Sequence, residues 1–347
     1  MPYKPGMQYK GPISRTPSQS CSILLEVVEG CPWDNKCTFC NSYREIEFQG
    51  KKSIRPVAEV KRDIDTLKAV ADKAKEISWR LGYGGEMNTK VWYATAIEMV
   101  NYGIEMTNFH FLWLYQYGDK PESAFLTAAD PMVAETTDLV EILNYLYERF
   151  PSLERDGVTS YVMARTIVRK GPEELAELRK AGLTRFYLGL ESGDDEILRF
   201  VNKGATSDEM IEAGHMIKEA GIELSEFVMP GLGGEAMSEQ HARGTASVLN
   251  ATDPDFVRMR PLQPIPGTPL YKAMKRGEFQ PLTGYEVLEE LGNIIRPLTI
   301  TGSVCFDHDY NPPIFDRDYD GYGFQERKPE VLELIDEAME LAKQRAK

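Results

Sequence analysis

Between Ser123 and Met259 the sequence switches repeatedly between short apolar runs of strand length and longer stretches whose apolar residues fall three and four apart. Runs of strand formers at 123–127, 159–163, 184–190, 223–229 and 255–259 are separated by helical patterns at 137–150, 172–181, 194–201, 207–220 and 238–250. Parallel strands need a crossover of about a dozen residues, usually a helix, so this alternation predicts an α/β fold with a parallel sheet. An earlier apolar run at 22–28, bounded by Gly30 and Pro32, supplies a first strand. Six such units are fewer than the eight of a closed barrel. The predicted architecture is a partial, open (β/α)6 TIM-like barrel.

The remaining segments dress that barrel. Pro5, Pro12 and Pro17 forbid a continuous helix or central strand over 1–20, which reads as an N-terminal arm. Val57, Val60, Ile64, Leu67, Val70, Ala74 and Ile77 set out one long helix over 57–82, stopped at Gly82. Residues 83–121 read as a helical insertion whose aromatic residues, Trp113 and Tyr115 among them, serve packing. The barrel spans 21–260, and 261–347 is a C-terminal extension closing it, with helices at 284–296 and 329–345 and an irregular stretch at 303–327.

The 347 residues carry a formal net charge of -14, and no run of Lys and Arg with interleaved aromatics tracks a phosphate backbone. On that ground no nucleic acid partner is expected. The polar N-terminus lacks the apolar stretch of a signal peptide, and no later run reaches the ~18 apolar residues of a membrane helix. A cytoplasmic protein with no membrane partner is expected.

Three of the five cysteines lie in one loop at the end of the first strand, as Cys31-x5-Cys37-x2-Cys40. Clustered thiolates in this spacing are metal ligands rather than a disulfide framework. A cubane iron–sulfur cluster held by three thiolates keeps one iron open for an exogenous chelator. Zinc is the competing metal and would need a fourth ligand such as His308; ordinary structural cysteines are the third reading.

The loop, with Phe39 before its third cysteine, resembles that of the radical S-adenosylmethionine (radical SAM) superfamily. The run over 183–198 containing Gly189-Leu190-Glu191-Ser192-Gly193, then Asn202-Lys203-Gly204, Gly231-Leu232-Gly233-Gly234 and Pro266-Gly267-Thr268-Pro269-Leu270-Tyr271, is similar to the Elp3, MiaB and coproporphyrinogen-dehydrogenase-like branch. The resemblance covers about residues 21–275. One departure is the five-residue gap between Cys31 and Cys37, where three is the commonest spacing.

The resemblance implies an enzyme with a [4Fe-4S] cluster on Cys31, Cys37 and Cys40. The cluster, reduced by a flavodoxin- or ferredoxin-type donor, cleaves S-adenosylmethionine to a 5′-deoxyadenosyl radical that abstracts hydrogen from a substrate. It also implies roles for named residues. Phe39 lines the adenine, the backbone of Ala128, Ala129 and Asp130 meets the methionyl amine, Arg165 and Lys203 face a carboxylate, and Glu191 accepts from the ribose hydroxyls. Gly84-Gly85-Glu86 spells the amine-binding segment more literally, but it follows a helix, whereas 128–130 ends a strand. Each role has a plainer alternative: a surface charge for Arg165, a helix cap for Glu191, an exposed lysine for Lys203. Cys305 and Tyr310 are candidates for hydrogen donation or radical quenching, with a buried cysteine and a loop tyrosine as the alternatives. His215 and His241 read as surface or packing residues. The substrate expected is a small molecule or peptide-like, with an RNA-modifying enzyme and a non-enzymatic zinc protein as alternatives.

Overall fold

The structure is a computed structural model that describes residues 9, 22–100, 112–154, 157–306, 311 and 322–345. Of the expected N-terminal arm only Tyr9 is among them, and Tyr310 and His308 lie outside. The chain divides into two compact units.

The first unit comprises Met1–Asp34, Glu45–Tyr161 and Glu173–Arg185. Its strands β1 (Ile23–Glu26), β2 (Ser123–Thr127) and β3 (Gly157–Val162) pair in parallel, with Leu24 opposite Phe125 and Phe125 opposite Thr159. Helix α1 (Val57–Arg80) packs on β1, on α2 (Thr89–Val100) and on α4 (Thr136–Arg149); α3 (Leu112–Tyr117) follows α2. The buried stripe of α1, from Val60 through Ile64, Leu67 and Val70 to Ile77, is the one its periodicity predicts. Beyond Arg80 the chain turns: Tyr83 donates to the Ser78 carbonyl at 2.9 Å, and Gly82, Gly84 and Gly85 all have positive φ.

The second unit comprises Asn35–Arg44, Val162–Pro172 and Phe186–Lys347. Here β5 (Glu223–Val228), β6 (Phe256–Met259) and β7 (Ser303–Phe306) are parallel, and the two-residue β8 (Tyr322–Gly323) runs antiparallel to β7. Strand β4 (Leu183–Glu191) spans the boundary between the units. Hydrogen-bonded neighbours follow chain order from β1 to β8, so among the described residues β1 and β8 are the edges of an open sheet. The expected α/β class holds, with one parallel strand more than expected. Strand β7 falls inside the stretch read as irregular, because four residues are too few to show a period.

Helices α6 (Asp195–Phe200), α7 (Ser207–Glu219), α8 (Gly234–Thr252), α9 (Pro269–Lys275), α10 (Gly284–Ile295) and α11 (Phe324–Arg345) belong to the second unit, and α10 packs against α8 and α11. The segment Ala164–Lys180, α5, is two helices joined at Gly171, whose φ of 78° and ψ of 171° break the ladder before Pro172.

Candidate active site

The cysteine loop begins at Gly30, whose φ of +80° strains any side chain and whose Cβ would press on Ile46 at 3.2 Å. Asp34 N–H closes a turn on the Cys31 carbonyl at 2.7 Å, and Asp34 and Asn35 then take left-handed φ values of 59° and 54°. Asn and Asp tolerate this conformation better than other side-chain-bearing residues. Cys31 is buried.

In the second unit Cys37 and Cys40 share one turn, closed by Cys40 N–H on the Cys37 carbonyl at 3.3 Å. Arg44 clamps it, with Nε 2.6 Å from the Cys40 carbonyl oxygen and Nη2 3.0 Å from that of Cys37. Ser42 N–H donates to Cys40 Sγ at 3.5 Å. The turn docks through backbone: Thr38 N–H to the Val201 carbonyl at 2.9 Å, and Leu270 N–H to the Thr38 carbonyl at 3.0 Å. The conspicuous Pro266 to Tyr271 run therefore starts the helix that braces the cysteine turn. Phe39 packs against Ile197, Val201 and Leu232, beside Met229 and Leu262.

Lys203 Nζ stands 2.9 Å from Glu191 Oε1, with side chains 15% and 14% exposed. Burial pulls the lysine pKa down, but the Glu191 carboxylate and the charges of Cys37 and Cys40 outweigh it and leave it raised. Glu191 sits at φ 61°, and a Cβ on Gly189 would stand 2.6 Å from its Oε1 and 2.7 Å from Lys203 Nζ. Asp194 Oδ1, not Glu191, caps α6, accepting from Glu196 and Ile197 N–H at 3.0 Å each. The Arg165 guanidinium donates to the Gly204 carbonyl, next to Lys203. Cys37, Phe39, Cys40, Arg165, Glu191 and Lys203 thus meet in one unit. Ala128, Ala129 and Asp130 belong to the other; there Asp130 is fully buried and its Oδ1 accepts Met132 N–H at 3.1 Å, capping a short 3-10 turn.

Cys305, on β7, is buried opposite Arg258 of β6, so both side chains share a face. His215 is exposed, whereas His241 is buried in a network that sequence reading missed. His241 Nδ1 lies 2.8 Å from Ser192 Oγ, and Nε2 lies 3.2 Å from the Met229 carbonyl and 3.7 Å from Glu290 Oε1. Glu290 Oε1 accepts the Gly231 N–H at 2.5 Å, and Oε2 accepts Ser238 Oγ. Burial lowers the His241 pKa, so the imidazole is neutral near pH 7. The signal was present: Glu290 interrupts the apolar face of α10 made by Leu291, Ile294 and Ile295.

The donor set fits an iron–sulfur cluster. Ser42 N–H donates to Cys40 Sγ, the half-buried Lys203 ammonium feels the charges of Cys37 and Cys40, and hydrogen bonds to sulfur tune such clusters. Among the described residues no three His, Cys, Asp or Glu side chains stand together at metal-holding distance, and none of the four described cysteines is half of a disulfide.

Residues 113–243 match the sequence model of the radical SAM superfamily. With the cysteine loop and the Lys203–Glu191 pair just described, this match makes the chain similar to radical SAM enzymes, the superfamily whose cofactors are a [4Fe-4S] cluster and S-adenosylmethionine. Its curated relatives are of the Elp3 kind. The chain is 35% identical to the tRNA uridine(34) acetyltransferase of Methanocaldococcus jannaschii over 121 residues, and 26% identical to Elongator complex protein 3 of Bos taurus over 122. These matches cover 34% and 35% of this chain and 22% of each relative, so about a fifth of their length is spanned. Among solved structures, the archaeal Methanocaldococcus infernus Elp3 aligns with a TM-score of 0.47 and 19% identity, covering 73% of this chain and 59% of that one.

The relatives overturn one expectation. A negative net charge led to the view that no nucleic acid partner is involved, yet a matched relative is named for tRNA. Net charge sums the whole surface and is silent about a local site. No described helix is long and apolar enough to cross a membrane.

Proposed function

We propose that this radical SAM enzyme modifies a base or nucleoside in RNA. The match over 121 residues to a relative named for tRNA modification carries this reading over the small-molecule or peptide-like substrate expected from the sequence. The RNA substrate, like a cytoplasmic setting, is inferred through kinship of one region.

When bound, the cluster and S-adenosylmethionine supply a carbon-centred radical able to take hydrogen from an unactivated C–H bond. The protein holds and shields that chemistry. Cys31, Cys37 and Cys40 would ligate the cluster. Lys203, kept cationic by Glu191, suits the methionyl carboxylate, and Glu191 retains a second oxygen for a ribose hydroxyl. Phe39 with Leu232, Met229 and Leu262 offers an apolar wall for a purine. Ala128, Ala129 and Asp130 keep their proposed place at the amine: they end a strand, and the Asp130 side chain, turned to its own cap, leaves recognition there to backbone.

The test is anaerobic incubation of reconstituted enzyme with S-adenosylmethionine, reductant and either total tRNA or a small-molecule extract. RNA-dependent 5′-deoxyadenosine with a mass change in one digested nucleoside is expected. Stimulation by the extract alone would return the substrate to the small-molecule class.

A further inference from the structure

One face of β4, β5 and β6 carries a ladder of cations and rings that the cofactors do not call for. Tyr187, Gly189 and Glu191 alternate along β4, Ser225 and Phe227 along β5, and Phe256 and Arg258 along β6, with Arg260 next in the alternation just past its end. The register sets Phe227 opposite Arg258 and Ser225 opposite Phe256. The Arg258 guanidinium lies 5.7 Å from the Tyr187 ring centre and 5.8 Å from that of Phe256, and its Nε donates to Ser225 Oγ at 3.2 Å. Arg260 lies 5.4 Å from the centre of the Phe227 ring. The ladder rises toward the cofactor pocket: Met229 N–H reaches the Glu191 carbonyl at 3.0 Å and Arg260 N–H the Val228 carbonyl at 2.9 Å, keeping Arg260 and Glu191 at the same strand ends.

Two guanidiniums two residues apart on one strand face repel each other, and burying Arg258 costs desolvation. Apolar residues would pack this face at lower cost. Cation–π contact with rings within about 6 Å restrains each guanidinium, which favours a two-pronged grip on an oxyanion. Arg258 is buried, while Phe227 and Arg260 are half-buried, so the ladder is reached at its Arg260 end.

We propose that Arg260, held by Phe227 and backed by Arg258 with its Tyr187 contact, is a subsite for an oxyanion of the substrate. Under the RNA reading above, on which this identification rests, the oxyanion is a backbone phosphate near the modified nucleoside. It locates on four residues the positive site that the overall charge of -14 conceals.

The probe is a fluorescein-labelled RNA stem-loop, titrated by anisotropy against the reconstituted full chain over a series of KCl concentrations. Thermal melting first establishes that Arg260→Gln is folded. Arg260→Gln should weaken binding about tenfold or more and flatten the slope of log Kd against log[KCl] by about 0.7 to 0.9, one phosphate contact. Arg260→Lys should restore the slope but only part of the affinity, because an ammonium lacks the fork. If the wild type binds and Arg260→Gln matches it in Kd and slope, the subsite is wrong and the RNA reading stands. If the wild type does not bind the stem-loop, the RNA reading falls, and inorganic pyrophosphate decides the subsite: stabilisation of the wild type that is lost in Arg260→Gln supports it, and equal or absent shifts overturn it.

Discussion

Lys203 and Glu191 form a half-buried ion pair of 2.9 Å whose lysine also feels the charges of Cys37 and Cys40. One ammonium thereby couples the end of β4 to the cysteine turn. Replacing Lys203 with Met leaves Glu191 uncompensated and removes the expected anchor for the methionyl carboxylate. The affinity for S-adenosylmethionine should fall about 10- to 100-fold, the worth of one charge-assisted hydrogen bond. Equilibrium dialysis with the cluster-loaded protein measures it.

Gly189→Ala probes the same pair from beneath. The new methyl would meet the ends of two long side chains, which can move, so the change in stability should stay within about 1 kcal/mol. The ion pair would be pushed aside, so binding of S-adenosylmethionine should weaken far more than the melting temperature suggests. Comparing denaturant midpoint with Kd separates the two effects.

Glu290 links helix α10 to Gly231 and Ser238. Glu290→Ala strands a buried N–H and a half-buried hydroxyl and should cost roughly 3 kcal/mol. Because Leu232 packs with Phe39, the loop should also loosen: the S-adenosylmethionine KM should rise more than kcat falls. Chemical denaturation and steady-state kinetics of 5′-deoxyadenosine formation check both.

Glu226 is fully buried on β5; its Oε2 accepts Thr252 Oγ1 at 3.0 Å, and its Oε1 has no hydrogen-bond partner. Desolvation raises its pKa from 4.5 to about 8. The folded state therefore holds a proton that the unfolded chain releases, so this contribution is complete below about pH 4.5 and is lost as pH rises through about 8. Glu226→Gln, neutral throughout, should melt near the wild type at pH 5 and several degrees above it at pH 9. Melting curves at both pH values test the sign.

The parts legible in the sequence were those written in contiguous runs. Helix α1, the strands through β6 and the Gly189 to Gly193 segment show their periods or glycines within a few residues. What escaped depends on residues distant in the chain. Arg44 is seven residues from Cys37 and gives no signal until the turn is folded around it. Glu290 meets Gly231 across 59 residues. Arg258 and Arg260 were legible in principle, since alternate arginines in a buried strand break its apolar pattern, but net charge drew attention away from them. The long gap of the cysteine motif resolved into a turn with consecutive left-handed residues, Asp34 and Asn35.

The central claim is that Cys31, Cys37 and Cys40 hold a cluster that activates S-adenosylmethionine. The most direct measurement is 5′-deoxyadenosine released by anaerobically reconstituted protein given dithionite and S-adenosylmethionine. The wild type should be brown and produce it, and Cys31→Ala, Cys37→Ala and Cys40→Ala should each produce none. A colourless protein with stoichiometric zinc, no 5′-deoxyadenosine, and a Cys31→Ala variant indistinguishable from wild type would contradict the account.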